Sequence, residues 1–452
     1  MATSVFPETS ASRSETLAKV LNFRDGVAIV VGTVIGSGIF LVPGPIAKQL
    51  PMLSLVLLVW IAGGVLSLFG SLSLGELAAA YPGAGGLYIY LREAYGRLLA
   101  FLYGWALLSL IQSGSIAGLA SGFSLYVSKI VPLTPFEFKG LPILCIVLLS
   151  IANLYGIRFA RSVQNIGTIS KLAGLALVFL LLIGHGHLEL LRIEASGHAA
   201  GATFLGFGTA LVAVLWAYEG WHVVSFTAGE FRSPVRDLPK SLFWGTLIVT
   251  GVYLLLNVAY YAVLTPAQVE ASGSAAASAM QAGWGGRTML LISVVILTSI
   301  LAATNGMIMT APRVYYAMAR DGTFFRKFGE VSKRFQVPVF AIVVQAVWAS
   351  ALTLMGSFQQ LFTYVVFTAW IFYGLTVAAV IVLRRSDPLR PRGFLTPAYP
   401  WVPIAFVLAA AGITLSTVVA DLLHALFGIG LVSVGIPLYF LFHSKRSVDL
   451  HD

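Results

Sequence analysis

The stretch Gly32-Thr33-Val34-Ile35-Gly36-Ser37-Gly38-Ile39-Phe40 places three glycines and a serine inside an apolar run where an unbroken helix is expected. A later apolar run is interrupted in the same way by Leu215-Trp216-Ala217-Tyr218-Glu219-Gly220-Trp221-His222. A segment in hydrocarbon must satisfy its own backbone groups, so an unwound stretch persists there only where it lines a cavity or is enclosed by protein. Interruptions at matching places in two halves of a chain point to a solute site near the middle of a membrane, built from inverted repeats.

Composition agrees with a membrane location. The 452 residues are 58% hydrophobic and 10% charged, with a mean hydropathy of +0.89, against roughly 25% charged residues in an ordinary soluble domain. The pattern predicts an all-α integral membrane protein with twelve spans of about 18 residues or more, the length that crosses roughly 30 Å of hydrocarbon. Their centres fall near Ile35, Gly64, Leu110, Leu149, Leu175, Ala213, Tyr253, Leu301, Val347, Thr368, Ala410 and Ile436. The first 23 residues are polar and lack an apolar h-region, so no cleavable signal peptide is expected.

The net charge of +10 is topological and does not indicate a nucleic-acid partner. With the N-terminus in the cytoplasm, only Lys48, Lys129, Lys139, Arg192 and Arg287 fall outside and Lys171 falls within a span, while the remaining Lys and Arg lie on the inner side. That bias fixes orientation and places both termini in the cytoplasm, and the plasma (inner) membrane of the cell is the expected location. The single cysteine, Cys145, excludes an intramolecular disulfide and a CxxC framework. The scattered histidines have no metal-ligand spacing, and no metal or cofactor is expected.

Gly36 and Tyr218 lie 182 residues apart, and five spans begin at each broken segment. This organises the chain as a cytoplasmic tail (1–23), a first repeat of five spans (24–185), an inverted second repeat of five (200–385), two extra spans (400–443) and a second tail (444–452). Residues 266–288 read as a Gly/Ala/Ser-rich outer loop and residues 131–142 as another.

The first break has complementary poles. A half-helix restarting at Gly38 presents free N–H groups and the positive end of its dipole, which suit a carboxylate. The half-helix that stops before Gly36 leaves free C=O groups, which suit an ammonium. Glycines also serve close helix packing, so it is the pairing with the second break that points to a zwitterion. At that second break Trp216, Tyr218 and Trp221 cluster, and an indole there can close over a solute. An ionisable residue within a span is a functional candidate by default, and Glu219 fits three roles: binding a cationic side chain, holding a proton, or pairing with a nearby Lys or His. Lys171 is the one lysine well inside a span. Its ammonium suits the carbonyls of the first break.

Four runs in order, Gly32 to Phe40, Trp216 to Trp221, Glu230-Phe231-Arg232-Ser233-Pro234-Val235-Arg236-Asp237-Leu238-Pro239, and Ala311-Pro312-Arg313-Val314-Tyr315-Tyr316-Ala317-Met318-Ala319-Arg320-Asp321-Gly322, together resemble the amino acid–polyamine–organocation superfamily. More narrowly, they are similar to its L-type amino acid transporter branch, from about Asn22 to the end of the last span. The resemblance implies a LeuT-like fold with helices 1 and 6 unwound at mid-membrane, and alternating access with exchange of L-amino acids. It further implies that N–H groups of Ser37, Gly38 and Ile39 hold the substrate carboxylate. Carbonyls of Thr33 or Val34 and of Trp216 to Ala217 would hold the ammonium, with Gly36 allowing close approach and Trp216 as the gate. Lys171 matches the lysine that stands in this branch for a sodium site, which implies sodium-independent transport. Asn305 falls near the site on the eighth helix.

Glu219 and His222 depart from the common pattern of that branch, and an acid there favours a basic substrate or a proton-linked mode. Residues 131–142 lack the cysteine through which animal members attach to a single-span glycoprotein, so no disulfide-linked heavy subunit is expected. The partners expected are amino acid substrates and the lipid bilayer. Two further readings stay open: a proton-coupled importer of amino acids or polyamines, and a receptor that binds amino acids without moving them. An enzyme is not expected, because the chain has no HExxH and no GxSxG motif.

Overall fold

A computed structural model describes residues 17–187, 204–355, 358–420 and 422–448. The first apolar run forms three helices, α1 (Phe23–Val34), α2 (Gly38–Leu41) and α3 (Pro43–Gln49). Asn22 starts α1 with a reciprocal capping box: its side chain accepts from the Arg24 and Asp25 N–H groups, and Asp25 accepts from the Asn22 N–H. This arrangement satisfies N–H groups that a helix start otherwise leaves bare. The helix ends where Ile35 leaves helical geometry. Next come α4 (Leu53–Ala80), α5 (Leu87–Tyr95), α6 (Arg97–Ala106), α7 (Gln112–Val127), α8 (Pro135–Leu154) and α9 (Ile157–His185). A π-helical turn at Leu107–Ile111 joins α6 to α7.

The later part begins with α10 (Phe204–Ala217), which stops at the second break, and a 3₁₀ segment, Val223–Glu230, follows it. Gly220, at φ +109°, supplies a backbone conformation closed to most residues. Then come α11 (Pro234–Val263), α12 (Pro266–Glu270), α13 (Ala275–Trp284), α14 (Met289–Thr310), α15 (Pro312–Arg320), α16 (Val339–Met355), α17 (Phe358–Ser386), α18 (Trp401–Ala420) and α19 (Leu422–Val448).

Among the described residues, nine helical stretches are long and apolar enough to cross a membrane, with α1–α2, α6–α7 and α14–α15 each counting as one. Three shorter apolar helices, Gly206–Ala217, Val339–Met355 and Leu426–Phe442, stand where the sixth, ninth and twelfth spans are predicted. The protein is an all-helical, multi-span membrane protein. Its outer helices turn apolar side chains outward: Leu148 on α8 is 56% exposed, and Ile169 and Leu180 on α9 are 67% and 65% exposed. Such faces would be a liability in water, and hydrocarbon is the solvent that suits them.

The broken helix lies inside. α1 packs against α9, α11 and α14, and Ile29, Val30 and Val31 on it are buried. Its inner lining is polar. Along α9, Arg161, Asn165, Thr168 and Lys171 recur every three or four residues on one face. Arg161 and Asn165 bond Asp25, Thr168 bonds the Ala28 carbonyl, and Lys171 bonds the Gly32 carbonyl.

Several expected boundaries move. The predicted outer loop 266–288 contains α12 and α13, because Thr265 caps α12 through the Gln268 N–H with Pro266 at its first position, and the alanines after Ser274 are strong helix formers. Likewise Thr134 and Pro135 start α8 inside the stretch 131–142. The helix α19 continues to Val448, into the predicted second tail. The end of the first tail is packed: Val20 and Leu21 N–H groups donate to the Glu230 carbonyl at 2.9 Å, and the Arg232 N–H donates to Leu21. Residues 1–16 and Arg192 lie outside the described residues.

Candidate functional site

The first break is held open from behind. Lys171, fully buried, donates to the Gly32 carbonyl at 2.6 Å and to the Ile35 carbonyl, and the Ser299 hydroxyl on α14 donates to Ile35 at 3.4 Å. These acceptors lie at the end of α1, where helical partners run out, so the Lys171 amine meets there the negative end of a dipole. In front of the break, the N–H groups of Ser37, Gly38 and Ile39 donate to no backbone carbonyl among the described residues. The hydroxyls of Thr33 and Ser37 are buried without a partner. Unpaired buried polar atoms are costly, and their concentration at one spot marks a place made for a polar guest.

The second break packs directly on the first. A Cβ built on Gly38 would lie 2.8 Å from Ala217 Cα, and one on Gly220 would lie 3.0 Å from Thr33 Cγ2. The Tyr253 hydroxyl, from α11, joins them, lying 2.7 Å from the Ala217 carbonyl and 3.1 Å from the Val34 carbonyl. Its ring lies edge-on to Trp60 and to Tyr218, which fixes its direction. One hydroxyl, with a single hydrogen to share, thus touches both unwound segments.

Between the breaks lies a cavity of about 60 Å³. Thr33, Val34, Gly36, Ser37 and Gly38 line it from the first break, and Trp216, Ala217 and Glu219 from the second. Gly114, Ser115, Gly118 and Leu119 on α7, Met307 on α14 and Val365 on α17 complete the wall. Polar backbone at two poles, one carboxyl and an apolar remainder suit a small amphoteric molecule with a side chain turned toward α7 and α17.

Eight of the residues singled out from sequence therefore share one cavity wall. Ile39 presents its backbone near the break while its side chain is buried in the apolar core. Lys171 stands behind the first break. Asn305 is one layer away, donating to Gln164 at 2.8 Å and accepting from Asn153 at 3.0 Å. His222 is buried behind Glu219, its Nε2 3.2 Å from the Tyr373 hydroxyl, which donates to Glu219. Sequence reasoning missed Tyr253 and Tyr373, since a tyrosine in an apolar span gives no sign of its partner. The spacing of Gly114 and Gly118 on one helical face was the available signal for the α7 wall. No cluster of His, Cys, Asp or Glu fit for a metal ion occurs among the described residues.

Residues 21–436 match the family described as Amino acid permease. The chain is 31% identical over 439 residues to the Serine/threonine exchanger SteT of Bacillus subtilis, covering 95% of this chain and 98% of that protein. It is 30% identical over 449 residues to the human b(0,+)-type amino acid transporter 1, covering 96% and 90%. The mouse Large neutral amino acids transporter small subunit 2 is 30% identical over 453 residues, covering 96% of this chain and 83% of that protein.

Proposed function

The chain belongs to the amino acid permease family of the amino acid–polyamine–organocation superfamily, and on that premise we propose that it exchanges L-amino acids across the membrane without sodium. Membership makes it an amino acid transporter, not an enzyme. The observation that supports the finer reading best is the cavity between two unwound segments, with a buried ammonium bonded to the carbonyls of the first.

In this reading twelve spans form a LeuT-like 5+5 inverted repeat, 24–185 and 200–385, followed by two helices at 400–443. Both termini are cytoplasmic, at the plasma (inner) membrane. The substrate carboxylate docks on the N–H groups of Ser37, Gly38 and Ile39. Its ammonium docks on carbonyls of Thr33 or Val34 and of Trp216 to Ala217, and Gly36 lets the substrate approach the backbone. Trp216 closes over it. Lys171 supplies the positive charge that a sodium ion would otherwise bring to the first break, so the empty site needs no ion gradient to hold its shape. Two relatives bear directly on mode and scope: one is named an exchanger and the other a b(0,+)-type transporter. The absence of a cysteine from 131–142 favours work without a disulfide-linked subunit.

The test is uptake of a labelled amino acid panel into proteoliposomes, preloaded or empty, in sodium or choline. Uptake only into preloaded vesicles, equal in both salts, is the expected result. Accumulation in empty vesicles driven by an inward proton gradient would replace exchange with proton-coupled import. Binding without movement in any condition would make the protein a receptor.

A further inference from the structure

Glu219 is a buried carboxyl with an unusual set of neighbours. Its side chain is 12% exposed, lines the cavity and pairs with no lysine or arginine among the described residues. Tyr373 on α17 donates to Oε1, and the same hydroxyl lies 3.2 Å from His222 Nε2. A hydroxyl has one hydrogen. Once it goes to Glu219, the Tyr373 oxygen accepts from Nε2–H, which leaves His222 Nδ1 as the second nitrogen. That Nδ1 is buried without a hydrogen-bond partner and stands 3.9 Å from Glu219 Oε1. Tyr103 on α6 and Tyr315 on α15 lie in the same electrostatic neighbourhood. The Lys171 ammonium is engaged by the carbonyls of Gly32 and Ile35.

A lone carboxylate is costly in so dry a place. One proton cancels its charge, whether on the carboxyl or on His222 Nδ1, and Tyr373 spans the two groups. The pair therefore holds a single dissociable proton at the cavity wall. A neutral amino acid leaves that balance undisturbed. A cationic side chain reaching Glu219 brings its own positive charge, and the proton then becomes the surplus.

We propose that Glu219, Tyr373 and His222 form a proton-exchanging unit of the substrate site, which keeps one proton beside a neutral amino acid and gives it up when a cationic side chain docks. In the release step the O–H bond of the Glu219 carboxyl, or the N–H bond of His222 Nδ1, breaks heterolytically. The proton passes to solvent water when the site opens to one side of the membrane, and the electron pair stays on the group. When a neutral amino acid returns, the proton is taken back. Swapping a cationic for a neutral amino acid would then move no net charge through the site. The proposal rests on the reading of the cavity as an amino acid site.

The experiment measures binding of L-arginine and of a panel of neutral amino acids to the purified full-length protein between pH 5 and 9. Proton release is followed by calorimetry in buffers of different ionisation enthalpy. Expected are about one proton released per arginine, none per neutral amino acid, and arginine affinity rising by up to about tenfold per pH unit while the unit is protonated. Glu219→Gln should abolish the release. Tyr373→Phe should move the pH of half-release by about half a unit or more. Arginine binding without proton release, or neutral amino acids binding while no cationic one binds at any pH, would overturn the proposal and leave the amino acid site standing. Failure of every amino acid to bind would overturn both. The wild-type proton count decides the matter even if a variant fails to fold.

Discussion

Adding one methyl group at Gly38 should stop exchange. The Cβ of Gly38→Ala would meet Ala217 Cα at 2.8 Å and Ala217 Cβ at 2.9 Å, whereas carbon atoms settle about 3.5 to 4.0 Å apart. Relief requires the two breaks to separate by about 1 Å, and one of the two contacts is with backbone that cannot swing aside. The Tyr253 hydroxyl, bridging Val34 and Ala217, resists that separation. Overpacking of this kind costs about 1–3 kcal/mol, which the bundle should survive. A displacement of about 1 Å in a pre-organised site costs on the order of 100-fold in rate, and Gly38→Val should do worse. Exchange in proteoliposomes, read beside thermal unfolding in detergent, separates the two effects. Gly251→Ala is the control, because a Cβ there meets nothing within 4 Å, and it should leave exchange intact and stabilise by up to about 1 kcal/mol. Exchange by Gly38→Ala within twofold of wild type would refute the claim that both breaks press together around the substrate.

Other perturbations address the supports. Lys171→Met removes the ammonium from the Gly32 and Ile35 carbonyls; bonds to charged groups are worth about 1.5–3 kcal/mol each, so exchange should fall at least about tenfold, and activity within twofold would exclude Lys171 as the stand-in for an ion. Tyr253→Phe keeps the ring and loses the bridge, about 0.5–1.5 kcal/mol; exchange should slow several-fold with little change in unfolding temperature, and unaltered kinetics would contradict the bridge. Arg313 and Glu230 are both buried and meet through two bonds of 2.8 Å, so Arg313→Ala should cost about 3–5 kcal/mol. Thermal unfolding checks this, with the double replacement Arg313→Met and Glu230→Met recovering much of the loss.

The first break could be read from the chain because glycine is conspicuous in an apolar helix, and Lys171 because a charge there is expensive. Both readings depend on chemistry that a single residue announces. Tyr253 and Tyr373 announce nothing: their effect lies in where a hydroxyl ends after the helices pack, and no local pattern encodes that. For the same reason the sequence placed Glu219 at the site without revealing that α17 holds it. The alanine-rich stretch in 266–288 reads as loop because small residues lack amphipathic contrast, although alanine is the best helix former. The packed end of the first tail was hidden too, since Leu21 is tied down through backbone bonds to Glu230 and Arg232, which any sequence can make.

In the proposed function amino acids occupy the cavity between the breaks. Cys145 is the chain's one cysteine, so Ser115→Cys in a Cys145→Ser background puts a single thiol on the cavity wall. Its rate of maleimide labelling, followed against increasing concentrations of a transported amino acid, should fall over the same concentrations that saturate exchange. Labelling that stays constant at saturating amino acid would place the substrate elsewhere.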